Sequence, residues 1–310
     1  MYVKDRVRQI MTQPSLAIFS NFFIDNEERL QRMKDSFFSF KDINPKEWVI
    51  NIRGSLKHEA ANFLKKELGE NLNLFHLQSK QGWMYDSLII SKKINSDYVF
   101  YWIEDHILIS SPIDLKNCIM EMKEFDVEHF SYTFFLDEVR KNYDLIEPYK
   151  LGKYTKVYKL DKKNCSKIRQ LAGEFYTVSS ASIMQKDFFI KILLSPKPYL
   201  KRFHRNLPFD FEKVSNDKIS PVILHSLPNQ EQFVVIDDDN YQPGHSLISR
   251  GLYPNRISRN NLKILENGHF YKIKEKIKKL FPIKIRPFIL WPFKFLKSLF
   301  YTLNFLINNR

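Results

Sequence analysis

Residues 98–106 of this chain read Tyr98-Val99-Phe100-Tyr101-Trp102-Ile103-Glu104-Asp105-His106. The first six side chains are aromatic or β-branched and uncharged, which is typical of a buried strand. Two carboxylic acids and a histidine follow at once. The stretch therefore predicts a core strand whose carboxyl end presents Glu104, Asp105 and His106.

The sequence before this strand alternates between similar apolar runs and helical patterns. Strands are predicted at 16–20, 48–52 and 74–77, and helices at 26–40, 59–68 and 83–94. Strands that alternate with helices form parallel sheets. We therefore predict an α/β fold in which residues 15–111 form a βαβαβαβ array, with a mostly parallel central sheet flanked by helices.

A sheet of this kind binds its ligands beyond the carboxyl ends of the strands. In this chain the segments at that position are 20–25, 53–54, 78–82 and 104–106. Carboxylates at Glu104 and Asp105 suit a hard cation such as Mg²⁺ or Mn²⁺, which usually completes its shell with water and substrate phosphates. Acidic residues are also common where a strand ends and the chain turns into solvent. The motif alone therefore leaves both interpretations open.

The second part of the chain, residues 112–268, has a less regular pattern. A helix is predicted at 183–194, and short strands at 222–224 and 233–236. His225 directly follows one of these strands, where a buried structural histidine is a better interpretation than a ligand.

A long polar segment, residues 236–253, contains the run Asp237-Asp238-Asp239. Long loops of this composition are often functional. Within it, His245 is a candidate metal ligand and Arg250 a candidate phosphate-binding residue. A solvated turn punctuated by proline and glycine is the alternative interpretation.

The net charge of the chain is +14, but its distribution is uneven. Residues 269–310 contain ten Lys or Arg and one Glu, so the remaining 268 residues are close to neutral for their size. The excess charge therefore indicates a partner for the tail and not a basic nucleic-acid groove across the fold. We divide the chain into a catalytic domain at 1–268 and a basic tail at 269–310.

The tail has the pattern of a helix that lies in a membrane interface. Residues 288–307 are almost continuously apolar and rich in aromatic side chains, with a polar stripe that includes Lys294 and Lys297. Each Lys or Arg near an anionic leaflet contributes about 1 kcal/mol of attraction. Packing against the domain and binding to nucleic acid are the alternatives, although nucleic-acid arms rarely carry so many bulky apolar residues.

Composition indicates a cytoplasmic protein, held at the inner face of the cell membrane by its tail. Cys118 and Cys165 are too few and too far apart for a zinc cluster or a disulfide scaffold, which favours a reducing compartment. Gln13 and Pro14 interrupt the apolar sequence near the N-terminus, so no export signal is predicted.

Four segments in order resemble the nucleotide-diphospho-sugar glycosyltransferases of the GT-A fold. They are a first strand with its nucleotide loop at 15–21, the following helix at 29–36, the turn Gln81-Gly82-Trp83-Met84 that opens a helix below the donor, and residues 98–106 as the strand that ends in the acidic metal motif. That motif is usually Asp-x-Asp or Asp-Asp in the family, whereas this chain has Glu104-Asp105-His106. A histidine ligand would suit Mn²⁺ better than Mg²⁺.

The resemblance implies that a hexosyl group passes from a nucleotide-diphosphate-sugar donor to a glycan or lipid-linked acceptor. It implies a divalent metal, Mn²⁺ or Mg²⁺, and the candidate ligands are Glu104, Asp105, His106 and His245. The candidate contacts to the nucleotide sugar are Ser20, Asn21, Phe22, Asp25, Arg53, Gln81, Gly82, Asp86, Glu104 and Arg250.

The resemblance also implies that residues 15–111 bind the nucleotide sugar and that residues 112–268 bind the acceptor. Within the second half, residues 179–187 resemble the small-residue turn and helix that frame the acceptor pocket in such enzymes. Besides Asp105, the candidate catalytic residues are therefore Asp187 and Glu212, with Asp210 as a further candidate base. An inverting transferase needs one carboxylate that accepts the proton of the acceptor hydroxyl. Helix capping and surface exposure are the alternative roles for these acids, and the stereochemical outcome stays open.

Two other functions remain open. A nucleotidyltransferase also combines a parallel sheet with acid-bound metal, but it typically has a glycine-rich phosphate loop after the first strand, which Ser20-Asn21-Phe22-Phe23 lacks. A non-catalytic scaffold at the membrane is the second alternative.

Overall fold

The structure is a computed structural model, and it describes residues 13–133, 142–172, 178–195, 211–212, 220–237 and 244–254. All of them belong to the first of two units into which the chain divides, residues 1–254. The domain boundary predicted at residue 268, the helix predicted in the tail and Asp210 lie outside the described residues.

The described residues form eleven strands and six α-helices. The strands are β1 (Leu16–Phe23), β2 (Glu47–Arg53), β3 (Leu72–Phe75), β4 (Tyr98–Tyr101), β5 (His106–Leu108), β6 (His129–Ser131), β7 (Lys150–Leu151), β8 (Thr155–Asp161), β9 (Ser182–Gln185), β10 (Val222–Pro228) and β11 (Phe233–Val235). The helices are α1 (Glu27–Phe40), α2 (Lys57–Leu68), α3 (Trp83–Ser91), α4 (Pro112–Glu124), α5 (Lys162–Ala172) and α6 (Lys186–Leu194). None of these helices is long and apolar enough to cross a membrane.

Nine strands form one central sheet in the order β3-β2-β1-β4-β9-β6-β10-β8-β7. The strands β3, β2, β1 and β4 are all parallel, as the alternating pattern predicts. β9 runs antiparallel between β4 and β6 and thereby joins the two halves. A second, two-stranded sheet pairs β11 with β5. The predicted α/β fold, with a central sheet flanked by helices, is confirmed.

The strand order places a topological switch point between β1 and β4. The chain passes from β1 outward to β2 and β3, and then returns to the other side of β1 to form β4. Connections therefore leave the carboxyl ends of β1 and β4 in opposite directions, which opens a crevice where open sheets bind ligands.

Helices cover both faces of the sheet because side chains along β1 alternate between two cores. Leu16, Ile18 and Phe22 belong to the core that also contains Phe37 of α1. Ala17 and Phe19 belong to the opposite core with α3 and α6. Each fully buried large side chain contributes about 2 kcal/mol, so one-residue changes of register in β1 are strongly disfavoured.

The loops at the ligand edge pack tightly against one another. The side chain of Asn26 accepts a hydrogen bond from the Arg29 backbone nitrogen and caps α1. Gly54, after β2, has a φ of +100°, and a Cβ there would collide with the Ile24 carbonyl. Only glycine both adopts this positive φ readily and leaves room for the Ile24 carbonyl group. The contact therefore fixes the loop after β1 against the loop after β2.

The predicted helix at 183–194 is wrong in its first turn. Ser182–Gln185 form β9, and α6 begins only at Lys186. A short apolar run does not reveal by its periodicity whether it is strand or helix. The pairing with β4 and β6 decides it, because β9 fills the position between them.

Candidate active site

The end of β1 presents an exposed aromatic ring at the switch point. Phe23 is the last residue of β1 and is 41% exposed. The guanidinium carbons of Arg29 and Arg53 lie 5.9 and 5.8 Å from the centre of its ring. Arg29 is held there because its Nη1 donates to the Phe23 carbonyl oxygen at 3.0 Å. An open ring between two cations is suited to stacking on a flat base and to attracting phosphate.

A buried amide network lies beneath this ring. Asn21 Oδ1 accepts hydrogen bonds from Asn51 Nδ2 at 2.8 Å and from Arg53 Nε at 3.0 Å. Asn21 Nδ2 donates to Ser87 Oγ at 2.9 Å. Both ends of the Asn21 amide are paired inside the protein. The Asn21 side chain therefore positions Arg53 and has no free group for a direct contact with the donor, which corrects its prediction as a donor contact.

Arg53 is a fixed cation that is partly shielded from solvent. Burial lowers the pKa of its guanidinium, whereas the nearby Asp86, Tyr101 and Glu104 raise it. An arginine stays protonated despite such shifts at physiological pH. Asp86 is itself buried and accepts a hydrogen bond from the Ser79 backbone nitrogen at 3.1 Å. The charge of Asp86 therefore offsets the positive charge of Arg53 from inside the protein.

The acidic motif after β4 contains two carboxylates whose pKa values shift in opposite directions. Burial disfavours ionisation of Asp105, but His106 and Arg32 outweigh it and lower the pKa of Asp105. Burial and the charge of Asp105 raise the pKa of Glu104. His106 Nδ1 lies 2.8 Å from Asp105 Oδ1 and fixes that carboxylate.

Glu104 and Asp105 carry the oxygen ligands that a divalent cation prefers, whereas the side chain of His106 is occupied inside the protein. A cation would relieve the repulsion between two adjoining carboxylates, which are its preferred ligands. His106 uses Nδ1 on Asp105, and its Nε2 is buried without a hydrogen-bond partner. In the described parts of the chain, no three His, Cys, Asp or Glu side chains group as a metal site. Of the predicted ligands, Glu104 and Asp105 therefore stay candidates, and His106 supports Asp105 from behind.

Glu212 is held at the same edge by the turn before β9. Its Oε1 accepts hydrogen bonds from Ser180 N at 2.8 Å and from Ser180 Oγ at 2.5 Å. The preceding Phe211 packs against Tyr101 at the end of β4, with ring centres 5.3 Å apart. Burial raises the pKa of Tyr101, and the charges of Glu104 and Glu212 raise it further. Both carboxylates are therefore near the carboxyl end of β4.

Asp187 lies at the opposite edge of the sheet, so its prediction as a catalytic residue is wrong. It is exposed in the first turn of α6. The neighbouring Lys186 backbone nitrogen donates to the Asp97 carbonyl oxygen, which precedes β4. From Asp97 to Trp102 the strand spans roughly 16 Å, at about 3.3 Å per residue. Because β9 is antiparallel to β4, its beginning faces the site and its end does not.

Phe22 and Ser20 were predicted to contact the donor, but both side chains lie in the interior, which corrects these predictions. Phe22 is 2% exposed and packs edge-on against Trp102, with ring centres 4.7 Å apart. Ser20 is also buried, and its Oγ donates to the Trp102 carbonyl oxygen at 2.9 Å. Both side chains hold β1 against the end of β4.

Three other predicted contacts lie at the mouth of the crevice. Asp25 Oδ1 is 3.3 Å from Arg29 Nη1. Gln81 is exposed in the turn before α3, and Gly82 takes a φ of +91° as the residue that precedes this helix. These positions are compatible with the predicted donor contacts.

His245 and Arg250 lie in the segment 244–254, which packs on β11 and α1. Arg250 forms a two-pronged ion pair with Glu231, with nitrogen–oxygen distances of 2.9 and 3.0 Å. Tyr253 donates a hydrogen bond to Asp35 of α1 at 2.5 Å. The guanidinium of Arg250 is thus neutralised by its own acid, which corrects its prediction as a phosphate-binding residue. His245 is not grouped with other metal-binding side chains among the described residues.

Phe23 lies within the segment 20–25 that was predicted at the ligand edge, although its side chain was not chosen over that of Phe22, whereas Arg29 and Asn51 were not predicted as site residues. The alternation of side chains along β1 was a usable signal for Phe23. It places Phe22 on the same face as Leu16 and Ile18, and Phe23 on the opposite face. No comparable signal marks Arg29, because its position depends on how α1 leaves the sheet.

No protein-family model and no curated protein matches the chain, but solved structures do. TarS of S. aureus aligns over 71% of this chain and 36% of its own chain, with 13% identity and a TM-score of 0.45. TarS 1–349 in complex with UDP-GlcNAc covers 88% of this chain and 78% of its own, with 13% identity and a TM-score of 0.45. The mannosyltransferase PcManGT of Pyrobaculum calidifontis, in complex with GDP-Man and Mn²⁺, covers 39% and 36%, with 13% identity and a TM-score of 0.32. The chain thus spans only about a third of the length of two of these neighbours.

Proposed function

We propose that this chain is a glycosyltransferase that moves a hexosyl group from a nucleotide-diphosphate-sugar donor to a glycan or lipid-linked acceptor. The observation that carries the proposal is the pairing of an exposed Phe23 ring, flanked by Arg29 and Arg53, with the Glu104–Asp105 carboxylates at one switch point. A base-stacking surface, fixed cations and a cation-binding acid pair are the parts that a nucleoside diphosphate requires.

In this proposal the base stacks on Phe23, and the diphosphate extends toward the end of β4. Arg29 and Arg53 supply positive charge, but Asp25, Asp86 and the acid pair already offset it. A diphosphate would add further negative charge. Glu104 and Asp105 would hold the divalent cation, which when bound neutralises the diphosphate as it leaves.

The transfer itself would be a single displacement. The bond between the anomeric carbon and the diphosphate oxygen breaks, and its electron pair stays on the diphosphate. The acceptor hydroxyl oxygen forms the new bond, and its proton passes to the carboxylate of Glu212. Ser180 holds Oε1 of this residue, so Oε2 is the oxygen that would take the proton. Such a displacement inverts the anomeric centre.

A screen of sugar nucleotides against the purified full chain tests the proposal. UDP-, GDP-, dTDP- and CMP-sugars are compared, each with Mn²⁺, with Mg²⁺ and with a chelator, by thermal unfolding and by release of the free nucleotide. A ligand at 100 times its Kd stabilises the native state by about 2.7 kcal/mol. We expect one nucleoside diphosphate series to raise the melting temperature and one donor to be hydrolysed or transferred.

The same screen separates the alternative functions. Release of pyrophosphate from a nucleoside triphosphate and a sugar 1-phosphate would identify a nucleotidyltransferase. Stabilisation by a nucleotide diphosphate without turnover of any donor would favour a scaffold that has kept its ligand. If no nucleotide diphosphate stabilises the chain, the proposed function is wrong.

We also propose that the basic tail attaches the enzyme to the cytoplasmic face of an anionic membrane. The tail lies outside the described residues, and its sequence supports the proposal through its excess of lysines and its aromatic, apolar character. Deletion of residues 288–310 is expected to abolish sedimentation with vesicles that contain phosphatidylglycerol, while vesicles of phosphatidylcholine alone bind neither protein. Equal binding of the full and shortened chains would contradict it.

A further inference from the structure

Two histidines from the second half of the sheet form a buried pair. His129 of β6 and His225 of β10 face each other in the parallel register, and both are almost completely buried. Their Nδ1 atoms are 2.8 Å apart. The Tyr143 ring stacks on His225, with ring centres 4.8 Å apart and planes 6° from parallel.

The surroundings of the pair determine which nitrogens carry protons. His129 Nε2 lies 3.2 Å from the Ser179 backbone nitrogen, which can only donate, and 3.3 Å from the Ser179 carbonyl oxygen. That carbonyl oxygen already accepts a hydrogen bond from Ser182 Oγ at 2.5 Å, so the arrangement that satisfies both backbone groups of Ser179 makes Nε2 the acceptor. The proton of a neutral His129 must then sit on Nδ1, which donates to Nδ1 of His225. His225 consequently carries its own proton on Nε2, which is buried without a hydrogen-bond partner among the described residues.

An additional proton on either histidine would disrupt this arrangement. A proton on His129 Nε2 would place two donors face to face at Ser179, although the Ser179 carbonyl oxygen, 3.3 Å away, would become an acceptor for it. A proton on His225 Nδ1 would place two donors face to face between the rings. The first change breaks the hydrogen bond from the Ser179 backbone nitrogen, which holds the turn before β9, and the second breaks the hydrogen bond between the two rings.

The groups that face the histidine pair are two tyrosines, a phenylalanine and a glutamate, and none of them supplies a positive charge. Tyr143 stacks on His225, and β8 places Tyr158 opposite His225 in the sheet. Phe188 of α6 packs 6.0 Å from the His129 ring. Glu128, next to His129 in the chain, accepts a hydrogen bond from the Leu224 backbone nitrogen. Burial lowers the pKa of both histidines. For His225 the charge of His129 acts in the same direction, whereas for His129 the contact with the Ser179 backbone raises the pKa but does not outweigh burial.

The turn that His129 holds is the one that binds Glu212. His129 Nε2 contacts Ser179, and the next residue, Ser180, donates two hydrogen bonds to Glu212 Oε1. We infer that His129 is a positioning residue for Glu212, acting through Ser179 and Ser180 in a single tautomer that His225 maintains. The catalytic meaning of this contact rests on the proposed function, in which Glu212 is the base.

Hydrogen exchange in the full chain tests the positioning without any donor. The exchange rate of the Ser180 amide, which bonds to Glu212, is compared in the wild type, H129L and H129Q. We expect exchange about tenfold faster in H129L, since one hydrogen bond of the turn is lost. H129Q keeps a side-chain acceptor and is expected to stay close to the wild type. H58L, at an exposed histidine of α2, is the matched control and should change nothing at Ser180.

Two further measurements keep the inference open to refutation. Nitrogen NMR of the wild type is expected to find His129 protonated on Nδ1 and not on Nε2, and this needs no variant. If H129L does not fold, H225F removes the acceptor of His129 Nδ1 while it keeps a ring, and it should also speed Ser180 exchange. Exchange at Ser180 that is unchanged in H129L, or a proton found on His129 Nε2, would overturn the inference.

Turnover separates this inference from the proposed function. In an active enzyme, H129L should lower kcat about tenfold with little change in the KM for the donor, because Phe23 and Arg53 lie on other strands. Faster Ser180 exchange in a chain that turns over no donor would support the positioning and contradict the proposed function. Normal Ser180 exchange in an active H129L variant would contradict the positioning alone.

Discussion

Phe23 and Arg53 end neighbouring parallel strands at the same register position, and the Arg53 guanidinium carbon lies 5.8 Å from the centre of the Phe23 ring. The side chain of Asn21 fixes this arrangement from below through its hydrogen bond to Arg53 Nε. A flat apolar surface and a cation are thus prearranged before any ligand binds, which lowers the entropy cost of binding.

Replacement of Phe23 by alanine tests the ring as the base-stacking surface. Stacking of a base on an aromatic side chain contributes about 1–3 kcal/mol, so the Kd for the nucleoside diphosphate should rise roughly tenfold or more. F38A is the matched control, because Phe38 is 48% exposed on α1. Calorimetric titration measures both, and equal affinity of F23A and the wild type would remove Phe23 from the site.

Replacement of Arg53 by glutamine removes one of the two cations beside the ring. A hydrogen bond to a charged group contributes about 1.5–3 kcal/mol, so affinity for the nucleoside diphosphate should fall roughly ten- to hundredfold. R250Q should leave it unchanged, because Arg250 is already paired with Glu231. A loss of the same size in both variants would indicate that the segment 244–254 also touches the donor.

Replacement of Asp105 by asparagine keeps the shape of the side chain and removes its charge. Transfer should fall by at least a hundredfold, on the order of one lost electrostatic contact to the transition state, while the unfolding midpoint changes little. D187N is expected to retain full activity, because Asp187 lies at the other edge of the sheet. An active D105N enzyme, or an inactive and folded D187N enzyme, would reverse the assignment.

The buried histidine pair predicts a loss of stability in acid. Burial lowers the pKa of His129 to about 4, and the pKa of His225 is lowered as well, from an ordinary value of 6.5. The unfolded chain therefore binds protons that the folded chain does not, and the free energy of unfolding should decrease as pH falls from about 6.5 to about 4. Urea unfolding of the wild type and of H129Q across this range measures it. A slope in H129Q as steep as in the wild type would show that other groups are responsible.

Much of the parallel half followed from local patterns. The Asn26 cap, the spacing of Leu30, Met33 and Phe37, and the uncharged run at 98–103 are local features that encode α1 and β4. The acids after β4 were predicted as site residues for the same reason, since the carboxyl ends of parallel strands share one edge. The strand β9 was not predictable in this way, because its conformation depends on partners distant in the chain.

By itself the sequence determined the βα alternation, the ligand edge and the acidic motif, because these depend on periodicity and on neighbours within a few residues. Only the tertiary structure decided that Arg53 lies beside the Phe23 ring, that Asp187 lies at the far edge, and that His129 contacts the turn that holds Glu212. These relationships arise where segments dozens of residues apart meet across the sheet. Strand direction and packing establish such contacts, and no local pattern encodes them.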